Sequence, residues 1–295
     1  MKGRTLLLLK NYYKDYRFSI KNFLIHFVLI IVCILSIIPF VWLLSTALKG
    51  RSENIFAYPP VFIPQQFTFD NFIHILKLVP ILKYVQNSFI TAFFTVILNV
   101  ILSALAAYPL ARMNFEGKKT VFFAILATIM VPFQTIMLPV YIITLKLRLV
   151  DSYSDVMGYL GLILPFAVNA FGIFLMRQAF LTIPKEIEES AIVDGCNSFQ
   201  LFYLILLPMV KPTIALLAIF TFIGSWGEFL WPSIVLTNSD LFTLPVGINN
   251  LSSAFSADYR LVAAGSIVSI IPIVIFFLVL QKYFIQGSTD GAVKG

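Results

Sequence analysis

Apolar residues along this chain gather into six long runs, near 22–48, 86–111, 119–145, 156–176, 210–236 and 261–285. Each has the roughly 20 mostly apolar positions that a helix needs to cross a hydrocarbon layer. The pattern predicts an all-α, polytopic membrane protein with six transmembrane helices. Prolines lie inside several of the runs, at Pro132, Pro139, Pro165, Pro232 and Pro272. A proline in a span kinks the helix or frees a backbone carbonyl, which only neighbouring helices or a water-lined cavity can satisfy. The expectation is therefore a packed, pathway-forming bundle rather than six simple anchors. Small residues at Ser103, Ala106 and Ala107, and at Ala263, Ala264 and Gly265, suit close helix contact.

Between the fourth and fifth runs lies a polar island, Arg177 to Lys211, with the sequence RQAFLTIPKEIEESAIVDGCNSFQLFYLILLPMVK. Pro184 stands where a first short helix would begin, and Glu186, Glu188 and Glu189 follow where negative charge favours the helix dipole. Asp194-Gly195 supplies the left-handed stop. Asn197 or Ser198 then caps a second helix, with Gln200 at capping-box spacing from Asn197. Pro208 and Pro212 break that helix before the next apolar run. The island thus predicts a helix-turn-helix elbow held at a membrane surface.

The stretch 49–85 is the longest segment on the opposite side. Pro59-Pro60 and Pro64 extend its first part, and Asp70 is placed to cap a short helix with Phe72, Ile73, Leu76 and Val79 on one face. That helix is either a docking surface for an extracytoplasmic partner or an interfacial helix resting on lipid.

Composition supports the membrane reading. Of 295 residues 59% are hydrophobic and 12% charged, against about a quarter charged in a soluble domain. The mean hydropathy is +0.92. The net charge of +7 does not mark a nucleic-acid binder, because six basic residues crowd into the first 21 positions beside a span. Alternate loops carry fourteen Lys and Arg on one side and seven on the other, which puts the richer side, with both termini, in the cytoplasm. The apolar run before Ser45-Thr46-Ala47 is too long for a secretory signal, so no cleavage is expected. Cys33 and Cys196 suggest no disulfide framework, and His26 and His74 stand apart from any metal-ligand spacing.

Catalytic motifs are missing. Gly117-Lys118-Lys119-Thr120 resembles the end of a phosphate-binding loop, but Arg112 occupies the position of its first glycine. The sequence holds no HExxH, GxSxG or CxxC pattern either. An uphill transporter of this kind needs a separate ATPase or an ion gradient. One carboxyl lies within a span, Glu228, in Gly224-Ser225-Trp226-Gly227-Glu228-Phe229-Leu230-Trp231-Pro232. It either lines a solute pathway with Trp226 and Trp231, or snorkels or pairs structurally near the outer end.

The island carries a family resemblance. Glu189-Ser190-Ala191, three residues, Gly195, nine residues, then Ile205, Leu207 and Pro208 match the E-A-A, G, I-x-L-P loop of ABC importer permeases. Ser190 replaces the family's alanine with another small residue. Asp194-Gly195 and the Pro208 and Pro212 pair resemble the sugar-importer branch. The ending Phe284-Ile285-Gln286-Gly287, with Gly291-Ala292-Val293-Lys294-Gly295, is similar to the second permease of maltose-type importers. Near Trp226 the family often has W-N-x-F, and here Gly227 replaces the asparagine.

The resemblance implies a type I ABC importer permease fold in a bacterial cytoplasmic membrane. It divides the chain into a basic arm over 1–21 and a permease domain over 22–295, with the coupling loop at 177–211 and a cytoplasmic tail at 286–295. Implied partners are a second related permease, two ATP-binding subunits and an extracytoplasmic solute-binding protein, within a lipid bilayer. ATP and magnesium belong to the ATPase subunits, and this chain needs no cofactor or metal. Within the loop, Glu189 would pair with a basic group on the ATPase, Ala191 would pack in its cleft, and Gly195 would permit the turn. Asp194, Ser190, Ile205, Leu207 and Pro208 complete the coupling set. The solute would be a sugar, oligosaccharide or sugar derivative. The rival from another class is an ion-coupled secondary transporter working through Glu228.

Overall fold

The computed structural model describes residues 20–254 and 258–290. The expected basic arm up to residue 19, and Gly291–Gly295 of the expected tail, lie outside the described residues. Among the described residues the chain is helical between its turns, with an isolated antiparallel bridge joining Lys49 to Phe67. In order the helices are α1 (Ile20–Ala47), α2 (Asp70–Leu78), α3 (Ile81–Arg112), α4 (Lys118–Ala127), α5 (Phe133–Lys146), α6 (Asp155–Ile163) and α7 (Ala170–Thr182). There follow α8 (Lys185–Val193), α9 (Ser198–Met209), α10 (Lys211–Gly227), α11 (Leu230–Val235), α12 (Leu244–Ala254) and α13 (Tyr259–Asp290).

Three helices are unbroken spans: α1, α3 and α13. The other three spans are bent pairs, α4 with α5 at 100°, α6 with α7 at 55° and α9 with α10 at 76°. Proline explains two of the bends. Pro132 cannot donate to the preceding turn and forces Val131 into an extended conformation, which separates α4 from α5. Pro165 sits in the tightened turn Leu164–Phe166 that ends α6. Pro139 and Pro272 stay inside continuous helices instead. The fifth run, expected as one span over 210–236, stops at Gly227. Glu228 is extended there and α11 starts anew at Leu230.

The central helix is α3, which packs against α6, α7, α10 and α12. Its polarity is inside out. The buried stripe holds Ser88, Thr91, Thr95, Asn99, Ser103, Ala104 and Ala107, while Phe89, Phe93, Phe94, Ile101 and Leu105 face outward. Outside a bilayer that distribution would be unstable; in lipid it places large apolar groups on the tails and small groups where backbones meet. Glycines allow two close approaches to α3: an added Cβ would lie 2.2 Å from the Tyr84 ring at Gly247 of α12 and 2.5 Å from Ser103 Oγ at Gly172 of α7. The expected small-residue contacts appear at Ser103 and Ala107, and at Ala263 and Ala264 against Ala47 of α1.

On the side away from the elbow, Lys49 is buried. Its ammonium donates to Val61 O at 2.6 Å, lies 5.0 Å from the Trp42 ring and 3.8 Å from Glu53 Oε1. Asn71 donates to the carbonyls of Ala47 and Lys49. These bonds fasten α2 and the preceding loop to the end of α1. Asp70 is the first helical residue of α2 rather than its cap, and its amide donates to Thr68 Oγ1 at 3.0 Å. The buried face is set by Asn71 and Ile75, so Ile73 and Leu76 point outward.

Candidate functional site

The elbow forms as its sequence dictates. Pro184 precedes α8, whose first turn carries Glu186 and Glu188. Gly195, at φ 86°, closes the helix: its amide donates to Ile192 O and that of Cys196 to Ala191 O, both at 3.0 Å. This is the two-bond glycine stop that satisfies the last carbonyls of a helix. Asn197 and Gln200 then exchange side-chain and backbone bonds, each of 2.9 Å, in a full capping box. Beyond it Leu201–Leu206 widens into a π-helical stretch ahead of Pro208. A wider turn there carries the chain past a residue that has no N–H to give.

The elbow has two distinct faces. Ala191 is only 5% exposed and packs in its own chain's core with Leu201, Phe202 and Leu206. Its small size suits the contact between α8 and the bundle. The outward face presents Glu189, Ile192, Phe199 and Val193, the last 87% exposed, with Phe199 stacked on Tyr203. Ser190, Asp194, Gly195 and Pro208 are also exposed, and Ile205 and Leu207 half-buried. Ser190 turns its hydroxyl back on Glu186 O at 2.7 Å.

Glu188, next to the expected Glu189, faces inward. Its Oε1 lies 2.8 Å from Arg112 Nε at the end of α3, with the two side chains 6% and 15% exposed on the Arg and Glu sides. The same guanidinium donates to Phe180 O and Ile183 O at the end of α7. Arg177 donates to Leu110 O at 3.0 Å and Lys118 to Met113 O at 2.8 Å. Basic groups thus satisfy the terminal carbonyls of α3 and α7, where the helix dipole is negative. One residue, Arg112, holds α3, α7 and α8 together.

A second feature lies farther along the bundle. A cavity of about 240 Å³ opens among α3, α6, α7, α10 and α11. Two helix breaks meet at it, one at Phe166–Asn169 and one at Glu228. Glu228 lines it and accepts the Trp231 amide at 3.1 Å, so the carboxylate caps α11. Trp231 also lines it, its indole donating to Gly161 O at 3.0 Å. Trp226, expected beside them, turns away: it is 1% exposed, stacks on Phe222 and donates to Ser269 O. Thr91, Thr95, Asn169, Thr221 and Ser225 complete the polar lining. Sequence reasoning missed them, although Thr91, Thr95, Asn99 and Ser103 recur every fourth residue, the signature of one polar helix face.

Broken helices around a polar cavity, with a capped two-helix elbow beyond them, define a multi-pass membrane transport subunit. Residues 99–289 match the family described as binding-protein-dependent transport system inner membrane component, and this chain belongs to that family. It is 36% identical over 281 residues, 95% of this chain and 98% of the relative, to the arabinooligosaccharides transport system permease protein AraQ of Bacillus subtilis. It is 31% identical, over 90% of this chain and 94% of the relative, to the lactose transport system permease protein LacG of Rhizobium radiobacter. The solved structure of a bacterial ABC transporter involved in import of the acidic polysaccharide alginate shares the fold. There the TM-score is 0.74 at 24% identity, covering 90% of this chain and 96% of that one. The chain is an ABC transporter permease, a non-enzymatic membrane subunit that works in complex with other transporter subunits.

Proposed function

We propose that this chain is one of two permeases in an ATP-driven importer of a sugar, oligosaccharide or sugar derivative. It encloses half of the translocation path and couples to ATPase subunits through the elbow. The observation that carries the reading is the elbow: a glycine-stopped helix whose outer face exposes Ile192 and Val193 beside Glu189, bound by Arg112 to two spans that border the cavity. The sugar class is supported by relatives named for arabinooligosaccharide, lactose and diacetylchitobiose transport. In this reading the ATPase cleft receives Ile192, Val193 and Phe199, with Glu189 meeting a basic group at the rim. ATP and magnesium are bound by the ATPase pair, a second related permease completes the path, and an extracytoplasmic binding protein delivers solute. The elbow and both termini face the cytoplasm of a bacterial cell, and the solute path opens by alternating access.

The test is uptake by membrane vesicles holding the whole complex, with ATP supplied and the proton gradient collapsed by an uncoupler. Uptake is expected to persist, in wild type and in Glu228→Gln, with ATP hydrolysis still stimulated by loaded binding protein. Wild-type uptake that stops under uncoupler, together with a dead Glu228→Gln variant, would replace this reading by an ion-coupled transporter.

A further inference from the structure

Thr91 and Thr95 stand one turn apart on α3, both buried, and both in the cavity wall. Neither Oγ1 has a hydrogen-bond partner within the chain. A helical threonine ordinarily turns its hydroxyl onto the carbonyl four residues back, as Thr144 does to Val140. Two adjacent departures leave two buried hydroxyls without a partner beside one space, and buried polar groups are satisfied by something.

The rest of the wall says what that something is. The volume holds about eight waters, or one sugar ring. Phe166 and Phe220 offer flat apolar surface for the C–H face of a ring. Ser225 and the free amide nitrogen of Asn169, whose oxygen is engaged with the Gly172 amide, add polar contacts. Glu228 is the one ionisable group among the lining residues, and no Lys, Arg or His joins it. Its carboxylate accepts hydrogen bonds from sugar hydroxyls and repels a carboxylate or sulfonate. We infer that the cavity is a subsite for a single uncharged sugar ring, that this chain therefore touches solute directly, and that Glu228 excludes anionic sugars. The inference rests on the sugar-importer reading for the identity of the ring, but not for the charge preference.

The experiment uses the assembled transporter in proteoliposomes, in a Cys33→Ser, Cys196→Ser background carrying Ser225→Cys as reporter. Its rate of modification is measured with a cationic and an anionic methanethiosulfonate of equal size. The cationic reagent should react about tenfold faster, and Glu228→Gln should remove most of that bias. Equal rates, a preference for the anionic reagent, or a bias that survives Glu228→Gln would overturn the charge claim. An unreactive cysteine would show the cavity closed and overturn the subsite altogether. Millimolar arabinobiose should slow modification and digalacturonate of the same length should not. Thr91→Val with Thr95→Val should raise the half-protecting arabinobiose concentration about tenfold, the loss of two hydrogen bonds, and leave the charge bias unchanged. Protection by digalacturonate, or by neither sugar, or indifference to the valines in a complex that still copurifies intact, would refute the sugar subsite. Failure of ATP-driven uptake with the charge bias intact would instead count against the importer reading.

Discussion

Glu188 and Glu189 are chemically identical neighbours with opposite duties, because one residue turns a helix through about 100°. Glu188 lies three residues before buried Ala191 and so shares its face; Glu189 shares the outer face with Val193. The acidic cluster was plain in the sequence, but which member faced inward depended on where α8 packs, and Arg112, 76 positions earlier, gave no local hint of it. The pair yields a prediction. Glu188→Gln leaves a buried guanidinium with carbonyl partners only, at a cost of about 3 kcal/mol, and should lower the melting temperature of the solubilised complex. Arg112→Gln should cost more, since it also abandons Phe180 O and Ile183 O. The double variant should be no worse than Arg112→Gln alone, because the two changes remove one shared interaction. Additive losses in melting temperature would show that Arg112 and Glu188 act separately.

Helix ends were the most legible elements, since caps are written in neighbouring residues. The glycine stop at Gly195 and the capping box of Asn197 and Gln200 stand where the sequence puts them. The length of the apolar runs revealed the spans, and Pro132 and Pro165 marked two of the three bends. Neither signal told which prolines would stay inside continuous helices, nor that Leu201–Leu206 unwinds to a wider helix; those depend on neighbours that take up the freed backbone groups. At Gly195 an added Cβ meets nothing within 4 Å, so the penalty for a side chain is purely conformational. Gly195→Ala should cost about 1–2 kcal/mol and Gly195→Val more. Uptake should fall while the chain still reaches the membrane. Normal uptake by Gly195→Val at normal expression would detach the elbow's shape from transport.

At the scale of the molecule, most of α1 up to Leu44 is exposed and only its end packs, against α13 and the loop before α2. Cys33 lies on that exposed surface and Cys196 at the elbow. A charged, membrane-impermeant thiol reagent should therefore miss Cys33, shielded by lipid or the second permease, and reach Cys196 only from inside the cell. Labelling of Cys196 in intact cells would reverse the proposed orientation and the coupling role with it. The anchoring of α3 has a mechanical corollary. Near its far end Asn87 donates to Asp240 O and Phe242 O, and Ser88 receives the Leu244 amide. A pivot there leaves lever arms of about 37 Å to Arg112 and about 6 and 12 Å to Thr91 and Thr95. Gearing of that ratio turns a stroke of several ångströms at the elbow into roughly one ångström at the threonine hydroxyls, a small travel with multiplied force. One ångström is about the difference between a made and a broken hydrogen bond, so a rod held in this way would release a bound ring without the cavity having to open wide.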